Sequence, residues 1–483
     1  MFWYIIQREL FEQLSSLRFV LATLLIVFLM VVNAIGHIEE YKTQQTEYRR
    51  QVSASSERLQ GNSNNLYTLV VRGPGGLNKH PSKLAFCAHG SENHLPTSVL
   101  GWSAGWGRDS NIEDSIYKIS GLWRLMYNVS PPITARNIFP TFLKIDWTLI
   151  ISIVLSFAAL VFAFDAISGE LGHGTLRLTL SNSIARGTLL AGKFLSILIS
   201  LGVAFLTGVL INLLLLHLSG TLQLDGQEWS RVGGIFVVGL TYLSIFIVLG
   251  LFVSSRVNRS TTSLVILLLL WVIWVILIPA TLGTILSGLN QPPTIRDYSA
   301  KHSAQHKEIT ERYEARGLYN KAPTRLRPPT PATLLWAKYL NEERQASNRL
   351  TKEHLNAQIN QIQIAREFNR ISPTAIAQYA IESLAGTGFQ RHLDFLKKAE
   401  RYADVFNDFL ITADRADPDS PHVPFVREGM SDKPVPFDSI PKFQDRVRLG
   451  NAFKGAMLDV MLLVLFFVVL FAMAHVSFQR KEI

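Results

Sequence analysis

Charge is scarce in this chain and cysteine almost absent. Only 17% of its 483 residues are Asp, Glu, Lys or Arg, while 48% are apolar; a soluble protein averages about 25% charged residues. Polar surface is therefore too small to wrap the apolar part, and the apolar content excludes intrinsic disorder. The one cysteine, Cys87, cannot close an intramolecular disulfide, which excludes a disulfide-stapled secreted fold and a zinc cluster built on thiolates. Its expected state is a buried small apolar residue. The sequence holds no HExxH and no metal-spaced set of His, Cys and Asp, so neither a catalytic nor a metal site is predicted. His302 and His306 share an i,i+4 face, but without a third ligand nearby a solvated helix face is the expectation.

The apolar residues fall in six blocks, at about Leu17–Ile35, Trp147–Phe164, Phe194–Leu218, Gly233–Val253, Ser263–Leu286 and Met457–His475. Each matches the roughly 20 residues a helix needs to cross about 30 Å of hydrocarbon. Their central turns carry no acid or base apart from Asp459, near the outer end of the last; Asn33, Asn212 and His217 are the main polar intrusions. An ion-coupled carrier normally needs charged groups at that depth, so the driving energy is expected from elsewhere. The first block exceeds the 7–15 residues of a signal h-region and lacks a cleavage site, so it reads as an uncleaved anchor.

The short loops set the orientation. Arg8, Arg18, Arg177, Arg186, Lys193, Arg256, Arg259, Arg480 and Lys481 lie on one side, against Glu9, Glu12, Asp165, Glu170 and Glu482. That side is predicted to be cytoplasmic, with both termini inside. The resulting division is an N-terminal amphipathic helix with the first span (1–36), a first extracytoplasmic domain (37–146), four spans (147–288), a second extracytoplasmic domain (289–456), and the last span with a cytoplasmic tail (457–483). Most of the net charge of +10 is a thin surplus over the two large segments, so nucleic acid is not an expected partner.

The first large segment reads as mixed α/β. Tyr67–Val71 is β-rich and precedes the turn cluster Gly73-Pro74-Gly75-Gly76, and Gly101–Gly107 sets Trp102 and Trp106 in a glycine-rich loop, where burial in a small core is expected. The second reads as mainly helical, with partly buried helices over 298–317 and 333–370. Ser372-Pro373 is a helix start, with an N-cap side chain and proline at the first helical position, and Gly386-Thr387-Gly388 is its stop. The fold class is thus a polytopic α-helical membrane protein: six transmembrane helices with an interfacial helix, a mixed α/β domain and a mainly helical extracytoplasmic domain.

Gly187-Thr-Leu-Leu-Ala-Gly192-Lys193 has the spacing of a phosphate-binding loop. Phe194 stands where a Mg²⁺-binding hydroxyl belongs and no buried strand precedes it, so ATP binding is not predicted. The segment before it is more informative: Asp165-Ala-Ile-Ser-Gly169-Glu170-Leu-Gly-His-Gly174-Thr175-Leu176-Arg177, then Ser183 and Arg186. Leu171, Leu176, Leu178 and Leu180 form an apolar face, acids and bases a polar one, and the glycines permit the turn from a vertical span into the interface plane.

This stretch, over about 165–188, resembles the coupling-helix signature of ABC exporter permeases of the type 2 class, roughly D-x-x-x-G-E-x-x-x-G-T-L-x-x-L-L-x-x-P-x-x-R followed by G-K. Asp165, Gly169, Glu170, Gly174, Thr175, Leu176, Arg186, Gly192 and Lys193 match; Ser183 replaces the proline, which softens the local turn. Six spans, inside termini and the amphipathic segment Trp3–Leu14 match as well, and the Ser372-Pro373 start with the Leu384–Gly388 stop resembles a subgroup with a large extracytoplasmic domain between the last two spans. The resemblance implies a non-enzymatic permease subunit of an ATP-driven exporter in a bacterial inner membrane. It carries no cofactor of its own, ATP and Mg²⁺ being bound by two copies of a separate ATPase subunit. It would pair with a second permease, identical or paralogous, in membrane lipid. Asp165, Gly169, Glu170, Gly174, Thr175, Leu176, Arg177 and Arg186 would then form the ATPase-coupling segment, with Glu170 meeting a base and the arginines meeting acids of the ATPase. The alternative is a protein that works mechanically on a periplasmic partner through its outside domains.

Overall fold

The structure, a computed structural model, describes residues 2–89, 98–102, 124–126, 145–172, 174–176, 185–281, 294–318, 330–426, 429–445 and 449–481. The expected loop Ser103–Gly107, Arg177, Leu178, Leu180 and Ser183 lie outside these. Six described helices are long and apolar enough to span a membrane, as the hydropathy blocks predict.

Helix α1 (Phe2–Leu14) leads through Ser15-Ser16 into α2 (Leu17–Asn62), whose start is capped by the Ser16 hydroxyl accepting from the Phe19 amide. Where the sequence suggests an end near Ile35, the helix continues. Its extension is rich in Glu, Gln and Arg, strong helix formers, and is laced by pairs such as Glu47–Arg50 at 2.7 Å. At 1.5 Å per residue the 46 residues reach about 69 Å, more than twice a hydrocarbon core.

Tyr67–Val71 is not a strand. It belongs to helix α3 (Leu66–Arg72), capped by Asn65 Oδ1 accepting from the Thr68 amide at 3.1 Å. Leu66, Leu69 and Val70 enter the core of the large segments, so the cap and the burial override β propensity. The β content of the described residues is one antiparallel sheet of three short strands, β1 (Leu77–Asn78), β2 (Ser98–Trp102) and β3 (Arg124–Met126), with Leu77 opposite Val99 and Leu100 opposite Met126.

The second span, α4, is built of three consecutive pieces, Trp147–Leu149, a π-helical Ile150–Leu155 and Ser156–Ala163. It turns into the short α5 (Ser168–Gly172). Then follow α6 (Arg186–Leu218), α7 (Gly226–Arg256) and α8 (Ser260–Thr281), the last with its own π-helical stretch at Val272–Leu277. The second large segment contributes α9 (Ile295–Glu314), α10 (Pro331–Asn369), α11 (Pro373–Ala385) and α12 (Phe389–Arg415), before α13 (Leu449–Gln479) returns through the bundle. One apolar core runs through the spans; a second joins α3, α9, α10, α12 and the chain after it.

His302 does not face water, and His306 is half-buried. His302 is buried between α9 and α10 with Nε2 3.0 Å from Ser347 Oγ, and His306 Nδ1 lies 3.3 Å from Glu343. Cys87 is fully buried, and burial pushes its thiol pKa well up, consistent with an inert apolar role.

Helix α11 has the predicted ends. The Ser372 side chain accepts from the Thr374 amide, and Gly386 closes the helix in the left-handed region at φ 70°. Its place does not follow from the sequence: it packs among α7, α13 and the π-helical parts of α4 and α8, with nearly every residue buried.

Two of the polar intrusions, Asn33 and Asn212, pair with each other. Asn212 Nδ2 donates to Met30 O at 2.6 Å and Asn33 Oδ1 at 2.8 Å. Asn33 Nδ2 donates to Ile145 O at 2.7 Å and Phe86 O at 3.1 Å.

His392, on α12, is buried, and burial together with the Lys79 and Arg391 charges pushes its imidazole pKa down to about 3. Above the ordinary histidine pKa of about 6.5 both folded and unfolded states are neutral. As pH falls from there toward 3 only the unfolded chain takes up the proton, so stability declines by at most about 1.4 kcal/mol per pH unit. Thermal melts of the detergent-purified protein between pH 7.5 and 4.5 should show a shallower decline for His392→Gln; equal slopes would remove His392 as the cause.

Candidate functional site

The predicted segment 165–186 sits where the spans meet on the short-loop side, and its described side chains are engaged within the chain. Asp165 Oδ2 accepts from Arg18 Nη1 at 2.9 Å, with the Arg18 guanidinium 5.2 Å from the centre of the Phe164 ring. This ties the start of α2 to the end of α4. Ser254 Oγ on α7 accepts from the amides of Ile167 and Ser168 at 3.1 and 3.0 Å, and Ser168 Oγ lies 3.3 Å from Ser260 Oγ at the start of α8. The free amides at the start of α5 are thus satisfied by a neighbouring span, as a buried helix end requires.

Lys193 is the centre of this end of the molecule. It is 2% exposed, and its Nζ donates to Glu9 on α1 and to Glu170 on α5, both at 2.8 Å. A buried ammonium is tolerated only with close anionic partners, and here the partners come from two other elements. In the sequence Lys193 is visible only as the end of a motif. The residue before it explains how the carboxylate of α1 comes so near: a Cβ on Gly192 would sit 2.9 Å from Ile5 Cγ2, so α1 can lie this close to α6 only against glycine. Gly187 does the same at the α13 side, where a Cβ would meet His475 Cε1 at 2.7 Å. The run that imitates a phosphate loop is therefore the first turns of a span. Its glycines admit neighbouring helices and its lysine binds two carboxylates.

Arg186 also works inside the chain. Its Nη1 donates to Gln479 O at 2.7 Å and Lys481 O at 2.8 Å, closing the carbonyl end of α13, where a cation is favoured. Thr175 Oγ1 donates to Glu170 O at 3.2 Å, Gly174 adopts φ 76°, and Leu176 is fully buried. Gly172, Gly174 and Thr175 are exposed. A Cβ on Gly169 would make only ordinary contacts with Asp165 and Ser260, so sterics do not demand glycine there.

Removing the ammonium leaves Glu9 and Glu170 facing each other without compensation. Lys193→Met should destabilise the protein by about 3–5 kcal/mol, as for other broken buried ion pairs, and adding Glu170→Gln should recover part of that. Thermal unfolding in detergent measures both; a single variant as stable as the parent would deny Lys193 its bridging role.

No curated protein matches the chain. A family model described as an ABC-2 family transporter protein matches residues 3–483, nearly the whole length. The six spans agree with it, and the chain belongs to the ABC-2 transporter family, as a multi-pass membrane permease of an ABC transporter.

Proposed function

We propose that the chain is the permease subunit of an ATP-driven exporter, moving a substrate out of the cytoplasm or the inner membrane of a bacterium. Two copies of a separate ATPase subunit, which bind ATP and Mg²⁺, dock on the short-loop side, and that side is cytoplasmic. A second permease, identical or paralogous, completes the path. The two large segments form the extracytoplasmic domains, the larger between the last two spans. The observation that carries this reading is the Lys193 bridge. Through it and the bonds of Asp165 and Ser168, a push on the exposed Gly172, Gly174 and Thr175 reaches α1, α2, α6, α7 and α8 together. ATP-driven closure of the ATPase then shifts a two-state arrangement of spans by favouring one set of contacts. Arg177 remains a candidate for pairing with acids of the ATPase. Glu170, held by Lys193, contributes by transmitting force between docking site and spans.

The length of α2 favours a second reading. A single helix that begins at the Arg18–Asp165 junction and runs 46 residues is a lever able to carry motion far beyond the bilayer, as required of a protein that acts mechanically on an envelope partner.

A photo-reactive phenylalanine analogue at Thr175 should capture a nucleotide-binding subunit on irradiation, while the same group at Ser53, on the far extension of α2, should not. Adducts to other proteins alone at Thr175 would exclude the docking site. Glu170→Gln should leave the complex assembled and lower its coupled ATP hydrolysis about tenfold, corresponding to roughly 1.4 kcal/mol. Substrate accumulation in proteoliposomes supports export; ATP hydrolysis that responds only to an envelope protein supports the mechanical reading.

A further inference from the structure

Helix α11 is a short helix from the second large segment sunk among the spans. Its C-terminal end lies near the rim, where a Cβ on Gly234 of α7 would be 3.4 Å from Leu384 and one on Gly455 of α13 would be 3.6 Å from Ser383. Its N-terminal end is deeper, beside Tyr242, eight residues (about 12 Å) further along α7 than Gly234.

Bonds at the deep end reach the irregular parts of two spans, directly or through Tyr242. Tyr242 donates its hydroxyl to Ser152 O at 3.0 Å, within the π-helical stretch of α4, and the same hydroxyl lies 3.0 Å from Thr374 Oγ1. Ser372 Oγ donates to Trp274 O at 2.7 Å, within the π-helical stretch of α8. A π-helical turn carries one residue too many for the α ladder and is common at functional positions; here the π-helical turns of α4 and α8 both pack against one helix. Trp271 Nε1 donates to Ser156 Oγ at 2.8 Å, joining the two spans beside it.

The helix is also bonded to α10, which joins it at the deep end. The Arg366 guanidinium, on α10, stacks 3.7 Å from the centre of the Tyr379 ring and approaches Glu382 at 3.4 Å, a long contact for two charges this deeply buried. Arg370, at the junction of α10 and α11, pairs with Asp459 of α13 at 2.7 Å, and Asp459 is 1% exposed. Around the same helix Arg231 Nη2, Asn369 Oδ1 and Thr387 Oγ1 are buried without a hydrogen-bond partner among the described residues. Polar atoms left unmatched in one arrangement mark a cluster that another arrangement can satisfy better.

We propose that α11 is a movable wedge that relays the state of the spans to the large segments, with Arg370–Asp459 as its latch. When α4 and α8 shift, their π-helical turns carry the Ser372 and Thr374 end with them. The displacement passes through Arg366 and Glu382 to α10 and through Gly386 to α12. The proposal rests on the reading of the chain as an ATP-driven permease, and it holds for export and for mechanical work alike.

The close approach of Gly455 to Ser383 offers a way to hold α11 in place. A Cβ at Gly455 would lie 3.6 Å from the Ser383 Cβ, a separation that suits a disulfide. Gly455→Cys with Ser383→Cys, in a Cys87→Ala background, therefore locks α11 to α13 on oxidation. In the membrane-reconstituted complex with its ATPase subunit, the oxidised protein should lose at least about tenfold in coupled ATP turnover, and reductant should restore it. Turnover by the reduced form shows that the underlying reading holds. Equal turnover of the oxidised and reduced forms would then overturn the wedge alone. Independently, Arg370→Asp and Asp459→Arg should each impair turnover and together recover much of it; a double variant no better than either single one would remove the latch.

Discussion

An ammonium shut away from water sets the geometry of the short-loop end. Lys193 needs two carboxylates within hydrogen-bond reach, and each demand propagates. Glu9 can arrive only if α1 lies against α6, which Gly192 permits by having no side chain. Glu170 can arrive only if the chain leaving α4 doubles back, which it does through a turn whose amides Ser254 satisfies. In a medium with no water to fall back on, such partners are obligatory. The position of three elements therefore follows from one buried charge.

The same rule organises the opposite end with different chemistry. Around α11 the satisfied groups are hydroxyls on backbone carbonyls and arginines on carboxylates, and several polar atoms there stay unmatched among the described residues. Both ends hold bonds of 2.7–2.8 Å, and the α11 end also carries the long Arg366–Glu382 contact. The helices α2, α7 and α13 connect them as rods.

The parts of the fold that depend on local chemistry are legible in the sequence. Six spans follow from apolar length, and the ends of α11 from Ser372-Pro373 and Gly386, because capping uses only neighbouring residues. The segment 165–186 is legible as a unit through its glycines, acids and bases. What is not legible depends on partners distant in sequence. Tyr67–Val71 reads as a strand until Asn65 and the face of α12 are considered. The burial of His302 depends on Ser347 across a helix pair. Thirteen residues with the composition of α11 fit a domain core and a bundle interior equally well, since they are too few to span a bilayer and periodicity alone cannot separate the cases. Lys193 looks like the end of a motif because nothing near it in sequence reveals that Glu9 is its partner.

The asparagine network has a consequence for the order of assembly. The Asn33 side chain uses a donor from Asn212 and carbonyls of Phe86 and Ile145. A chain made from its N-terminus enters the membrane with the first span long before residue 212 exists. Until the third span arrives, the Asn33 side-chain carbonyl lacks its native donor, Asn212. Pairing of the first and third spans is thus a late, closing event of biogenesis, and everything between them must wait beside an unfinished seam.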